Sequence, residues 1–218
     1  MQSEPGARVR PRGQGGRPSR LASAQLSDRI LDVATALFLH EGFGATSIEA
    51  VAKRAGISKR TFYHRFTGKE MLFEAAVRRL IERWTPAFDS ALLDAPDLGE
   101  GLRRAAEHML KVALTPEALA LHRMVIAEAR RFPKLARVMH ELGAAAGIER
   151  IARHLESRIA AGQIRPIDAR FAAEQFILMA VTGPQRRALG LGARPTAAQL
   201  RQWVDETVQL FLEGCGRR

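Results

Sequence analysis

The residues Thr46-Ser-Ile-Glu-Ala-Val-Ala-Lys-Arg-Ala-Gly56-Ile-Ser-Lys-Arg-Thr-Phe-Tyr-His-Arg-Phe66 read as two short helices with a sharp turn between them. Thr46 is placed to cap the first helix, and Glu49 to reach back to its backbone N–H, which makes a capping box. Ile48, Val51 and Ala52 follow at helical spacing on one face. Gly56 sits where a helix must end in a left-handed residue, Ile57 can plug the corner, and Ser58 can cap the second helix. This is helix-turn-helix grammar, which lays its second helix in the DNA major groove. Lys59 and Arg60 occupy the first turn of that helix, where side chains reach guanine O6 and N7. Phe62 and Phe66 give it an inward face, and Thr61, Tyr63 and His64 are left to meet phosphates.

The flanks extend the pattern. Ile30, Val33, Ala34, Leu37 and Phe38 form an apolar helical stripe closed by Gly42. Thr67-Gly68-Lys69-Glu70 reads as a second capping box, opening a helix with Leu72, Phe73, Ala76, Val77, Leu80 and Ile81 inside. On Ala34, Leu37, Phe38, Gly42 and Thr46, then Ile48, Val51, Ala52, Ala55, Gly56, Ile57 and Ser58, then Thr61, Phe62, Tyr63, His64, Phe66, Lys69, Glu70 and Leu72, the block from Ser27 to Phe73 closely resembles the DNA-binding domain of the TetR family of transcriptional regulators. The expected DNA-contact set is Thr46, Ser58, Lys59, Arg60, Thr61, Tyr63, His64 and Lys69. Arg65 departs from the family pattern and adds charge beside the groove.

The chain has 218 residues, a net charge of +11, 46% hydrophobic residues and one cysteine. That supports one or two domains with a real core and no internal disulfide framework, and it fits a reducing cytoplasm. No apolar run of about 18 residues is present to span a bilayer, so no membrane partner is expected. Eleven Lys and Arg face five Asp and Glu within residues 1–66. This concentrates the basic excess around the helix-turn-helix, as a polyanion footprint requires. Residues 1–25 are rich in Gly, Pro and Arg (Arg8, Arg10, Arg12, Arg17 and Arg20) and carry no apolar signal-peptide core. They read as a disordered arm, either a solvated tail or a strand of arginines along phosphates or the minor groove.

Residues 26–84 are assigned to the DNA-binding domain and its linking helix, and residues 85–218 to a second helical domain, giving an all-α fold. Pro86 and Asp94 to Gly99 mark the boundary. Helices are expected over 102–114, from Pro116 to about Arg131, from Pro133 through Ile159, from Asp168 onward, and from Thr196. Gly183-Pro184 is expected to kink or interrupt the fourth of these. The stretches Phe132-Pro133 and Gly162 to Asp168 resemble the AefR-like branch of the family. The resemblance implies a ligand-binding and dimerisation domain whose last helices pair across a two-fold axis. Phe171, Phe176, Trp203, Val204, Val208 and Phe211 are the interface candidates, although ordinary core packing explains them as well.

Trp84, His108, Met109, His122, Met124 and Met139 are the pocket candidates, since methionine adapts to irregular apolar ligands; core filling is the competing reading. His108, His122, His140 and His154 form no tight i, i+4 pair, so no metal or cofactor is assigned. There is no nucleophile elbow, phosphate loop or H-E-x-x-H, so the chain does not read as an enzyme. Cys215 reads as an exposed bystander. The expected activity is that of a ligand-responsive repressor. As a dimer it sits on a palindromic double-stranded operator and is released by an unknown small-molecule effector. The rivals are a basic architectural protein that coats DNA without a specific site, and an interaction or membrane-surface module working through the basic arm.

The arm generates one measurement. Deleting residues 1–20 is expected to weaken operator binding and flatten the log–log salt dependence, by about 0.9 in slope for each phosphate the arm had neutralised. An unchanged slope in the truncated protein removes the arm from the interface.

Overall fold

Helix α1 (Arg20–Glu41) opens the described part of the chain; the computed structural model describes residues 20–84, 93, 95 and 97–215. Residues 20–25, expected as the end of the arm, are the first turns of this helix. They are tied down, because the Ser23 hydroxyl accepts a hydrogen bond from Arg65 Nη2 at 3.0 Å. Arg65 therefore braces α1 rather than standing loose beside a groove. Arg8, Arg10, Arg12, Arg17, Pro86 and Asp94 lie outside the described residues, as does the Cys215 side chain.

Helices α2 (Ile48–Arg54) and α3 (Lys59–Tyr63) form the expected pair, and α4 (Lys69–Trp84) follows. The first cap differs by one residue. Ser47, not Thr46, accepts from the Ala50 N–H at 3.1 Å. Thr46 is buried and its hydroxyl donates to the Gly42 carbonyl at 2.8 Å. The turn closes as a Schellman motif. The Gly56 N–H donates to the Lys53 carbonyl and the Ile57 N–H to the Ala52 carbonyl, with Gly56 at φ +65°. Ser58 caps α3 as expected, accepting from the Thr61 N–H at 3.1 Å. Thr67 does not cap α4; its hydroxyl donates to Met71 Sδ.

The remaining elements are α5 (Leu98–Ala113), α6 (Pro116–Glu128), α7 (Pro133–Met139), a π-helical turn (His140–Ala144), α8 (Ala145–Ala160), α9 (Ala169–Ala188) and α10 (Ala197–Cys215). Every regular element among the described residues is helical, as the pattern predicts. The expected Pro133–Ile159 helix runs through with one π-helical turn inside it, which packs beside Ile81 of α4.

The side chains sort into two cores. One unites α1 to α4 with Leu121, Met124 and Val125 of α6 and Leu135 of α7. The other unites α5, α8, α9 and α10 around Leu102, Ile151, Leu155 and Phe176. Packing therefore does not divide at residue 85, because α6 and α7 are built onto α1 to α4.

Helix α9 runs unbroken through Pro184. Proline at that position leaves the Ala180 carbonyl without its helical N–H. Trp203 of α10 replaces it: indole Nε1 donates to the Ala180 carbonyl at 3.0 Å and to the Met179 carbonyl at 3.2 Å. The ring lies so close over Gly183 that a Cβ there would stand 2.6 Å from it. Trp203, partly buried, thus acts as a plug within its own chain. Phe176, Val204, Val208 and Phe211 are likewise buried in their own chain's second core, which removes them from the expected dimer contacts. Phe171 alone of that set is exposed, at 60%.

Two substitutions test this plug. Trp203→Phe leaves a carbonyl unsatisfied and is expected to cost about 1–3 kcal/mol. Gly183→Ala drives a methyl into the indole and is expected to cost a similar amount, about 1–3 kcal/mol. Urea unfolding measures both, and a Gly183→Ala variant as stable as the parent overturns the close approach.

Candidate nucleic-acid interface and ligand cavity

The exposed side chains of α3 are those the sequence selects. Lys59, Arg60, Tyr63 and His64 are all exposed, while Phe62 and Phe66 hold the helix to the core. The ring of Tyr63 stands edge-on to Phe62 at 5.5 Å, and the residue remains exposed. Lys59 pairs with Glu49 of α2, and that hydrogen bond raises the lysine pKa and lowers the carboxylate's. Ser58 and Thr61 share a hydroxyl–hydroxyl hydrogen bond of 2.9 Å at the surface. Lys53 and Arg54 of α2 are exposed on the same small domain and were not among the expected contacts; their i, i+1 basic pair was the available signal. Thr46 leaves the contact set, because its side chain is buried and its hydroxyl is engaged.

Lys69 also changes role. Its ammonium donates to the carbonyls of Phe43, Gly44 and Thr46 at 2.8, 3.2 and 3.0 Å, and lies 4.6 Å from the centre of the Phe43 ring. Burial pushes its pKa down. It clamps the turn between α1 and α2 to the first turn of α4. The same turn is held from the other side by Glu128, the last residue of α6, whose carboxylate accepts from the Gly44 N–H at 3.1 Å. Phe132, beyond the end of α6, packs edge-on to Phe43 at 4.7 Å. No local pattern in the sequence marks Glu128, since its partner is 84 residues away.

A cavity of about 570 Å³ lies along the seam between the two cores. That volume is within the roughly 300–1,000 Å³ typical of small-molecule sites. Trp84, His108, Met109, His122 and Met139 line it as expected. Met124 does not; it turns into the first core while its α6 neighbours Leu121, His122, Val125 and Ile126 face the cavity. The first core's wall comes from α4, α6, α7 and the π turn, and the second core's wall from α5, α8 and α9. Burial lowers the pKa of His122, and it lowers that of His108 more than a hydrogen bond to the Trp84 backbone raises it. Both shifts favour the neutral ring. Arg150, Thr182, Gln185 and Arg186 also reach the cavity; read along the helices they are ordinary polar positions. Among the described residues no cluster of His, Cys, Asp or Glu is arranged to hold a metal, and no helix is long and apolar enough to cross a membrane.

Residues 30–76 match the family model for bacterial regulatory proteins of the tetR family, and residues 100–215 match the AefR-like transcriptional repressor C-terminal domain. Among solved structures, a TetR-family transcriptional regulator from Mesorhizobium loti superposes with a TM-score of 0.78 at 31% identity, over 89% of this chain and 98% of that one. The flavonoid-responsive regulator FrrA superposes with a TM-score of 0.76 at 34% identity, over 89% and 99%. The HTH-type transcriptional activator FasR of Mycolicibacterium smegmatis is 31% identical over 98 residues, 45% of each protein. The chain spans about half the length of the first curated relatives it matches.

The two kinds of basic residue separate by measurement. Lys59→Ala and Arg60→Ala are expected to lose about 1–3 kcal/mol on a specific site and little on random DNA. Lys69→Met is expected to lower the melting temperature and to weaken both kinds of binding together. Equal losses on specific and random DNA for Lys59→Ala contradict a base-reading role, and an unchanged melting temperature for Lys69→Met contradicts the clamp.

Proposed function

The chain belongs to the TetR family of bacterial regulatory proteins, and from that membership we propose that it is a DNA-binding, ligand-responsive repressor acting as a homodimer on a palindromic operator in the cytoplasm. Its relatives are regulators of transcription rather than enzymes. The repressor sign rests on the AefR-like repressor match over 100–215. A planar effector of flavonoid size is compatible with the seam cavity, and FrrA is a flavonoid-responsive relative.

The observation that carries the reading is the double duty of α6. One stretch of it, Leu121 to Ile126, walls the cavity, and its last residue, Glu128, holds the Gly44 N–H ahead of α2. A ligand that prefers a different spacing of the two cores must shift α6, and with it the seat of the reading helix. The effect equals the ligand's preference between the two states, and DNA weakens the ligand by the same factor.

A single five-residue helix reads few bases, so two copies about one DNA turn apart are needed for a specific site. Phe171 and Leu178 of α9 and Leu210 of α10 are large apolar side chains left exposed on the last two helices, and they are our proposed dimer face.

Footprinting on the DNA flanking the protein's own gene, at physiological salt and with random-sequence competitor, is expected to show a protected palindrome that resists the competitor. Uniform protection removed by competitor would overturn the specific reading. Glu128→Ala is expected to raise the operator Kd about three- to tenfold, the loss of one charge-assisted hydrogen bond. A Kd within twofold of the parent would show that this contact takes no part in the DNA-competent state.

A further inference from the structure

Among the described residues, the ionisable groups that line the seam cavity are all bases. His108, His122, His140, Arg150 and Arg186 reach it, together with Thr182 and Gln185, and among the described residues no carboxylate does. The remaining wall is apolar or aromatic, with Trp84, Met109 and Met139 supplying adaptable surface. From this lining we propose that the cavity takes an anionic amphiphile, a flat or extended apolar body carrying one acid group. The inference deepens the effector reading above and rests on it for its regulatory meaning.

The selection is electrostatic. A guanidinium is charged at every physiological pH, so Arg186 sets a fixed positive charge on the lining and Arg150, which already has a partner, adds a second cation beside it. Burial lowers the pKa of His108 and His122, which favours their neutral forms in the empty cavity and leaves them as hydrogen-bond partners. In an apolar-walled space such a field acts over a longer reach than in water. A cationic ligand meets like charge, with no carboxylate among the described lining residues to receive it. A neutral ligand fills the apolar space and draws nothing from the arginines. An acid gains a charge-assisted hydrogen bond to a guanidinium while its body displaces water from the wall. Arg150 stands on α8 and Arg186 on α9, so an acid group can meet a cation on more than one wall.

Two dyes with the same body separate these cases. 1-Anilinonaphthalene-8-sulfonate carries the acid, and N-phenyl-1-naphthylamine lacks it. The full chain without DNA is expected to bind the sulfonate at least about tenfold more tightly, the gain of one charge-assisted contact. The Arg150→Gln/Arg186→Gln double variant is expected to bring the ratio toward one, and Arg150→Lys to keep it. Cavity-filling His122→Trp, or Val112→Trp if the former fails to fold, is expected to abolish saturable sulfonate binding. Displacement by naphthalene-2-carboxylate marks a flat natural body and displacement by dodecanoate an extended one; either supports the assignment. Equal or tighter binding of the neutral dye, sulfonate binding that survives cavity filling, or failure of both acids to displace it overturns the proposal. A clear preference for the acid with no effect on operator footprints would leave the ligand class standing and remove the effector reading. Release from the operator by neutral ligands alone would do the reverse.

Discussion

One ammonium group holds the reading head in place. The turn between α1 and α2 presents the carbonyls of Phe43, Gly44 and Thr46, and Lys69 meets all three. A lysine has three N–H donors, so the count closes with none left over. Beneath it the Phe43 ring packs on Phe38, Phe73 and Phe132, which belong to α1, α4 and the corner between α6 and α7. Three parts of the chain therefore converge on the residue that the ammonium covers. Partial desolvation works against the charge, and the carbonyls and ring face compensate it. Without that clamp α2 would lose its fixed start, and α3 would lose its direction, since it is seated through α2 and the Gly56 turn.

The division into two cores gives the cavity its mechanical character. A cavity enclosed within one tightly packed core exerts little leverage, because close-packed interiors resist change. This one separates two cores, so its volume depends on how they stand apart. Arg103 with Asp205 braces α5 to α10 inside the second core, and Arg79 with Asp28 and Asp32 braces α4 to α1 inside the first. These exposed pairs add little energy. Both join helices within a core, whereas the His108 hydrogen bond to the Trp84 backbone ties α5 to α4 across the seam.

The local features were legible because local chemistry decides them. Ser58, Gly56 and the Phe62–Phe66 face carry their roles in their own neighbourhood, and each is found where it was expected. The misreadings share one cause, which is a partner far away in sequence. Thr46 and Ser47 are equally good caps by type, and burial against Gly42 decides between them. Lys69 looks like a phosphate contact until the α1–α2 turn folds over it. Trp203, Val204, Val208 and Phe211 form an apolar stripe that fits a partner helix or the chain's own core equally well, and only the fold assigns it to the core. Pro184 predicts a break because the sequence does not show that an indole on the next helix supplies the missing donor. The cavity follows the same rule. Its methionines and histidines were visible as types, but a seam between two cores is no property of any one helix.

The Lys59–Glu49 pair shows why the reading surface can be ordered and yet remain available. Both side chains are well exposed, and an ion pair in that setting contributes little. It aims Lys59 from α3 without binding it strongly. On approach to DNA the lysine exchanges a carboxylate for a guanine edge or a phosphate at small cost. Glu49 is then left beside the backbone charge unless the exchange is geometrically good. A poor fit therefore carries a repulsive term as well as a missing attraction, and discrimination between sequences grows from both.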